Sequence, residues 1–129
     1  IMTTKILVDA CGWVGIIDSG INFDLELSKL FGNYELILIE QVKEELIELE
    51  KTLPKSKRLM LNLLEQKSTS IDIQYTHTSH TDDILIEYAK ANNTPILSVD
   101  TGLKKRFFEN SLLVIEIVKN KYLRVIENV

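Results

Sequence analysis

The sequence predicts an α/β fold in which helices flank a mostly parallel central sheet, giving three layers. Short apolar runs alternate with segments of helical periodicity along 129 residues. That length and a hydrophobic content of 45% suffice for one domain with a buried core, which we expect to occupy residues 1–129. Two of the apolar runs end directly in an aspartate, Asp9 and Asp100. In such sheets ligands bind beyond the carboxyl ends of the strands, so these two residues are site candidates.

The first half of the chain predicts two strands, each followed by helical segments. Residues 5–8 are apolar and partly β-branched, which is typical of a strand buried on both faces. Apolar residues recur with helical spacing over 22–31, and Gly32 and Asn33 supply a stop signal for that helix. By the same criteria we predict a strand at 35–39 and helices at 41–50 and from Pro54 to about 66.

The second half of the chain continues the alternation, interrupted by one polar loop at 76–81. A run of β-branched and apolar residues predicts a strand wherever it is bounded by turn residues. The predicted strands are 70–73, 95–99, 112–117 and a strand-like piece at 122–126, and the predicted helices are 82–91 and 103–108.

Composition excludes several functional classes. Cys11 is the only cysteine, which rules out an intramolecular disulfide and a cysteine-rich zinc module and favours a cytoplasmic location. No apolar run is long enough for a membrane span, no signal-peptide pattern opens the chain, and we expect no membrane partner. A net charge of −4 argues against a wholly basic nucleic-acid-coating protein. Glycine-rich phosphate-binding motifs are absent from the sequence.

Two predicted helices carry adjacent acidic residues, of which only one should face the protein body. In the helix at 41–50, Glu45 borders the apolar stripe formed by Val42, Leu46 and Leu49, whereas Glu44 points away from it. The same spacing argument applies to the helix at 82–91. There Asp82 lies on the side of Ile86 and Ala89, whereas Asp83 lies on the solvent side with Glu87 and Lys90.

Inward carboxylates need a positive partner, and no lysine or arginine is spaced along the chain so as to be an obvious local partner of these acids. A divalent cation is one solution, and oxygen-only ligands suit Mg²⁺ or Mn²⁺ rather than zinc. The alternative is structural. Asp9 and Asp100 would then cap the helices that follow them, Asp82 would favour a helix N-terminus, and Glu45 would be partly solvated.

Taken in order, these motifs resemble the PIN-domain family over residues 5–125. The resemblance rests on Asp9 after the first strand, on Val42-Lys43-Glu44-Glu45-Leu46, on the run from Asp82 to Ala89, and on Ile96-Leu97-Ser98-Val99-Asp100. It is nearest to small single-domain PIN proteins of ribosomal RNA processing, and more distant from toxin PIN ribonucleases.

The resemblance implies a five-stranded parallel sheet and an endoribonuclease that uses Mg²⁺ or Mn²⁺. The family's catalytic and metal-binding acids would fall on Asp9, Glu45, Asp82 and Asp100. RNA would be the substrate. The resemblance also implies a protein partner, either a component of ribosome processing or an antitoxin.

The sequence departs from the family pattern on both sides of the predicted site. Ala10 and Cys11 stand where many members have threonine and asparagine, and Thr101 and Gly102 stand where another acid or asparagine is common. Ser98, Thr101 and Asp83 remain as candidate supporting residues. The departures favour an alternative, a PIN-like module that binds RNA or protein without cutting, whereas the four retained acids favour a nuclease.

Basic residues form two further groups of candidates. Lys104, Lys105 and Arg106 follow Asp100 closely, so they either contact RNA phosphates or form a solvated helix face. A sparser basic group is more typical of a solvated surface, and it consists of Lys119, Lys121 and Arg124.

Three further features have structural interpretations. His77 and His80 have a spacing that could support a metal, but without a third ligand they do not predict zinc. Cys11 and Trp13 are predicted to be core residues. An apolar helical face at 59–64 predicts either core or a homodimer contact; its residues are Leu59, Leu63 and Leu64.

Overall fold

A six-stranded sheet forms the centre of the protein in the computed structural model, which describes residues 3–73 and 80–127. The strands are β1 (Thr4–Val8), β2 (Tyr34–Ile39), β3 (Thr69–Ile71), β4 (Ile96–Leu97), β5 (Val114–Val118) and β6 (Tyr122–Ile126). The helices are α1 (Ala10–Ser19), α2 (Phe23–Phe31), α3 (Glu40–Glu50), α4 (Lys55–Lys67), α5 (Thr81–Asn92) and α6 (Thr101–Glu109).

The strand order is β3-β2-β1-β4-β5-β6, so β1 lies in the interior of the sheet. All neighbouring strands are parallel except β5 and β6, which form an antiparallel hairpin. The α/β prediction is therefore confirmed. The strand count implied by the resemblance was wrong by one, because the strand-like piece at 122–126 pairs with β5 and extends the sheet at its edge.

Apolar patterning accounts for the core. Ile6, Leu7 and Val8 of β1 are fully buried, as expected for an interior strand covered on both faces. On α3 the predicted stripe is directed inward, with Val42 and Leu46 buried and Leu49 half-buried. The helices contact one another in two groups, with α1 against α3 and α4, and α5 against α6. No helix within the described residues is long and apolar enough to span a membrane.

The bounds of the predicted elements agree with the structure to within two residues, and two differences from the sequence pattern have identifiable reasons. The fourth strand was expected over 95–99, but its ladder ends at Leu97, because the Asp100 N–H donates to the Ser98 hydroxyl oxygen rather than to a neighbouring strand. The first helix was anticipated only as a helix that Asp9 might cap. Its two glycines and its β-branched residues give it weak intrinsic helix propensity, so its bounds depend on packing.

Candidate metal-dependent nuclease site

Asp9 and Asp100 lie at the same edge of the sheet, on neighbouring strands. β1 and β4 are parallel, and Val8 is paired with Leu97. Asp9 directly follows β1, and Asp100 follows β4 after two intervening residues. The two carboxylates therefore project from adjacent strand ends, where an α/β sheet offers a crevice.

The Asp9 carboxylate is held by two hydrogen bonds in a buried position. It is the N-cap of α1, and its Oδ1 atom accepts from the Gly12 N–H at 2.7 Å. Its Oδ2 atom accepts from the Ser98 hydroxyl at 2.7 Å, and only 6% of the residue is exposed. Gly12 itself is required here, because a Cβ at that position would lie 2.4 Å from the Leu97 carbonyl oxygen.

Ser98 connects the two strand ends. The residue is fully buried, and its hydroxyl donates to Asp9 while its oxygen accepts from the Asp100 N–H at 3.0 Å. Asp100 in turn caps α6, because its Oδ1 atom accepts from the Leu103 N–H at 3.0 Å. Capping and a role in a site were alternatives in the sequence, but the geometry allows both at once, since each carboxylate oxygen has more than one lone pair.

The pKa values show that Asp82 belongs to the same charged environment. Burial is the main cause that raises the pKa of Asp9 from 3.8 to about 6; Asp100 and Asp82 raise it further, and its two hydrogen bonds lower it. Burial also raises the pKa of Asp82, as do Asp100 and Glu45, whereas Arg106 lowers it. Repulsion among neighbouring carboxylates is the expected signature of a site that receives positive charge.

Two side chains near the acids are more exposed than the sequence suggested. Glu45 was expected to border the buried stripe of α3, and it is exposed, although its charge still acts on Asp82. The prediction that Cys11 lies in the core was wrong, because its side chain is exposed while Trp13 is fully buried. One helical residue corresponds to about 100°, so Cys11 points away from the buried side of α1.

The charges of all four predicted acids act on the pKa of the Cys11 thiol. Its pKa is raised first by partial burial of the sulfur in this otherwise exposed residue, and then by the negative charges of its neighbours. Those neighbours are Asp9, Asp100, Glu45 and Asp82. The structure thus brings the four predicted acids within electrostatic reach of one side chain at the start of α1.

The donor chemistry of this cluster fits a hard divalent cation. Carboxylate and hydroxyl oxygens are the ligands that Mg²⁺ and Mn²⁺ prefer. Among the described residues, no three acidic, cysteine or histidine side chains are grouped tightly enough to enclose an ion by themselves. A cation site formed by Asp9, Glu45, Asp82 and Asp100 therefore stays a prediction.

Tertiary contacts occupy much of the basic cluster on α6. Arg106 binds the Asp83 carboxylate at 2.5 Å, so Asp83 is half-buried against α6 rather than solvated as predicted. Lys104 binds Glu116 of β5 at 2.9 Å. Lys105 is exposed, and it is the member of the cluster whose side chain is most accessible to solvent.

The remaining candidates have simpler placements. Thr101 is exposed at the first position of α6, and His80 is the exposed N-cap of α5. His77 lies outside the described residues. On α4, Leu64 belongs to the core, whereas Leu59 and Leu63 are 56% and 57% exposed. The core interpretation therefore holds for Leu64 alone, and the homodimer contact stays a prediction.

Sequence reasoning missed two features of this site. Gly12 was not singled out as the donor to Asp9, although an N-cap followed three residues later by glycine could have indicated a close approach. The pairing of Asp83 with Arg106 carries no local signal, because the two residues are 23 positions apart.

Comparison with known proteins identifies the family. A family profile described as a PIN-like domain matches residues 6–120. The chain belongs to the PIN-like domain family. Ribonuclease VapC4 of Methanocaldococcus jannaschii is 27% identical over 125 residues, covering 94% of this chain and 95% of that protein. This PIN-like domain also resembles the solved structure of the PIN domain endonuclease Utp24, with a TM-score of 0.74 and 13% identity over 94% of this chain and 90% of the other.

Proposed function

We propose that this PIN-like domain is an endoribonuclease that depends on Mg²⁺ or Mn²⁺ and cuts single-stranded or loop RNA. The observation that carries the proposal is the bridge of Ser98 between Asp9 and Asp100 at adjacent strand ends. Support also comes from the matched family and from the similarity to a ribonuclease over nearly the full length of both chains.

Asp9 and Asp100 would be the main ligands of the cation, with Asp82 and Glu45 completing the site or orienting the attacking water. A bound divalent cation makes water more acidic and offsets negative charge that develops on the phosphate. This chemistry needs no histidine or lysine base, and His80 is therefore assigned no part in it.

The protein's own groups keep the two main carboxylates in place. The Ser98 hydroxyl and the Gly12 N–H fix both oxygens of Asp9, and the Leu103 N–H fixes one oxygen of Asp100. Preorganised ligands of this kind need not be reoriented when the cation and the RNA bind. Because the pKa of Asp9 is about 6 without metal, Asp9 is mostly ionised at pH 7 and mostly protonated at pH 5. We therefore expect metal binding and cleavage to fall as the pH is lowered through 6.

The test is cleavage of a labelled, unstructured RNA with Mn²⁺ and with EDTA by the parent chain and by Asp9→Asn and Asp100→Asn. We expect metal-dependent internal cleavage by the parent and loss of at least 100-fold in either variant, on the scale seen when one charge-stabilising group is removed. Glu109→Gln is the matched control, because it removes one exposed carboxylate at the far end of α6 and should cleave like the parent.

Two outcomes would contradict the proposal. Cleavage that survives EDTA or both aspartate substitutions would mean a contaminant or a different mechanism. RNA binding without metal-dependent cleavage, over several substrates, would instead identify the chain as a non-catalytic RNA-binding module, the function that the Ala10 and Cys11 departures favour.

A further inference from the structure

The β5–β6 hairpin carries two lysines at its tip. Val118 and Tyr122 form the last pair of the hairpin, and the Lys121 N–H donates to the Val118 carbonyl oxygen at 2.9 Å. Lys119 and Asn120 have φ values of 53° and 55°, the left-handed conformation of both central residues in tight hairpin turns. Asparagine tolerates this conformation, but lysine is disfavoured in it. The turn thus holds a lysine where glycine or asparagine would be the more stable choice.

The hairpin tip lies at the same edge of the sheet as the acids. β5 is parallel to β4, so the carboxyl end of β5 points in the same direction as the strand end that leads to Asp100. Leu97 is paired with Ile115, which places Val118 three residues further along. At about 3.3 Å per residue, the tip extends roughly 10 Å beyond the last ladder pair of β4, on the adjacent strand.

Gly15 on α1 is a common neighbour of the hairpin and of the residue before Asp100. A Cβ built on Gly15 would lie 3.0 Å from Val99 Cγ1 and 3.2 Å from Ile117 Cδ1. Val99 immediately precedes Asp100, and Ile117 precedes Lys119 by two residues. The segment that leads to the candidate ligand and the part of the hairpin next to its tip therefore lie against the same turn of α1.

The hairpin lysines differ from Lys104 and Arg124 in that no acidic side chain among the described residues offsets their charge. Lys104 and Arg124 both contact Glu116, at 2.9 and 3.6 Å, so their charges are partly compensated. Lys119 and Lys121 are exposed, and neither forms an ion pair with any described residue. The chain as a whole is acidic, so a polyanion that approaches the carboxylates needs positive charge close by.

We propose that Lys119 and Lys121 bind the phosphate backbone of RNA on one side of the bond to be cut. The proposal rests on the proposed nuclease function and assigns a substrate-binding role to residues that the sequence suggested were solvated surface. Lysines at the tip of a turn act as point charges, so this contact should position RNA without selecting its sequence. Lys105, exposed on α6 after Asp100, would extend the same path along the backbone.

The experiment measures binding of a labelled, unstructured RNA by fluorescence anisotropy in EDTA over a range of salt concentrations. The test variant is Lys119→Gly with Lys121→Ser. Its control is Lys67→Ser with Lys90→Ser, which removes the same charge from exposed positions in the last turns of α4 and α5. These helices lead into β3 and β4, so the control residues lie at the opposite edge of the sheet.

We expect the test variant to lose about 1.4 from the slope of log affinity against log salt, because each single-strand phosphate contact contributes about 0.7. The control should keep the parent slope. Glycine relieves the backbone conformation at Lys119, so the melting temperature of the test variant should be equal or higher, which separates lost binding from unfolding. A second variant, Lys119→Arg with Lys121→Arg, keeps both charges and should restore the parent slope.

The results distinguish a wrong hairpin assignment from a wrong nuclease function. If the parent cleaves RNA with Mn²⁺ and the test variant keeps both the parent slope and the parent kcat/KM, the hairpin assignment is wrong and the nuclease function stands. Equal losses in the test and control variants would show only a general effect of charge, and would also overturn the assignment. A parent chain that neither binds nor cleaves RNA overturns both proposals.

Discussion

Replacing Asp9 with asparagine should make the protein more stable at neutral pH while removing its activity. The pKa of the Asp9 carboxyl rises from 3.8 to about 6 on folding, mainly through burial. Below about pH 3 the group is protonated in both states and contributes nothing. Above about pH 7 it is ionised in both states, and the folded state is destabilised by about 3 kcal/mol, at about 1.4 kcal/mol for each pH unit.

Asparagine removes that charge but keeps part of the hydrogen bonding. Its carbonyl oxygen can still accept from the Gly12 N–H, whereas its amide group replaces the oxygen that accepts from Ser98. Loss of that hydrogen bond costs about 1 kcal/mol. We therefore expect Asp9→Asn to raise the free energy of unfolding by about 2 kcal/mol at pH 7 and to lower it by about 1 kcal/mol at pH 3.

The assay is urea unfolding in EDTA at several pH values, followed by the fluorescence of Trp13, the only tryptophan and a fully buried one. Glu109→Gln carries the same net charge as Asp9→Asn and should show no such pH dependence, since its carboxylate is exposed. A variant less stable than the parent at pH 7, or a stability difference that stays constant from pH 3 to 7, would refute the reasoning.

Three further predictions follow from the same contacts. Gly12→Ala should lower the free energy of unfolding by about 2 kcal/mol in urea, because its Cβ would lie 2.4 Å from the Leu97 carbonyl oxygen; Gly102→Ala, with 3.3 Å as its nearest contact, should be far milder. Ser98→Ala removes a hydrogen bond that lowers the pKa of Asp9, so the acidic limb of the cleavage-rate profile should move to higher pH; an unmoved limb would count against a positioning role. Millimolar Mn²⁺ should raise the melting temperature of the parent but not that of Asp9→Asn, and no rise in the parent would contradict a cation site.

The carboxylates at the strand ends were predictable because their positions follow from local pattern. A short apolar run indicates a buried strand, and the residue that follows such a run must emerge at the edge of the sheet, as Asp9 does. Helical periodicity likewise placed Asp82 on the side of α5 that bears the buried Ile86 and Ala89. Each inference needs only the spacing of neighbouring residues.

Periodicity was less reliable for side chains at the margin of a face. Glu45 borders the apolar stripe as expected, yet it is exposed, because the stripe fixes the direction of a residue but not how much of the neighbouring surface other elements cover. Periodicity also failed to predict the exposure of Cys11. Helical spacing from Asp9 suggested core, and the packing of α1 turned its side chain outward.

By itself, then, the sequence determined the order of elements, the buried stripes and the acids at the strand ends, since all of these depend on residues within a few positions of one another. Only the tertiary structure decided that Ser98 binds Asp9 across 89 positions and that Arg106 holds Asp83. It also decided the raised pKa of Asp9, because burial and neighbouring charges come from elements that meet only when the sheet closes. Such contacts depend on how strands and helices pack, and that packing cannot be inferred from the spacing of residues along the chain.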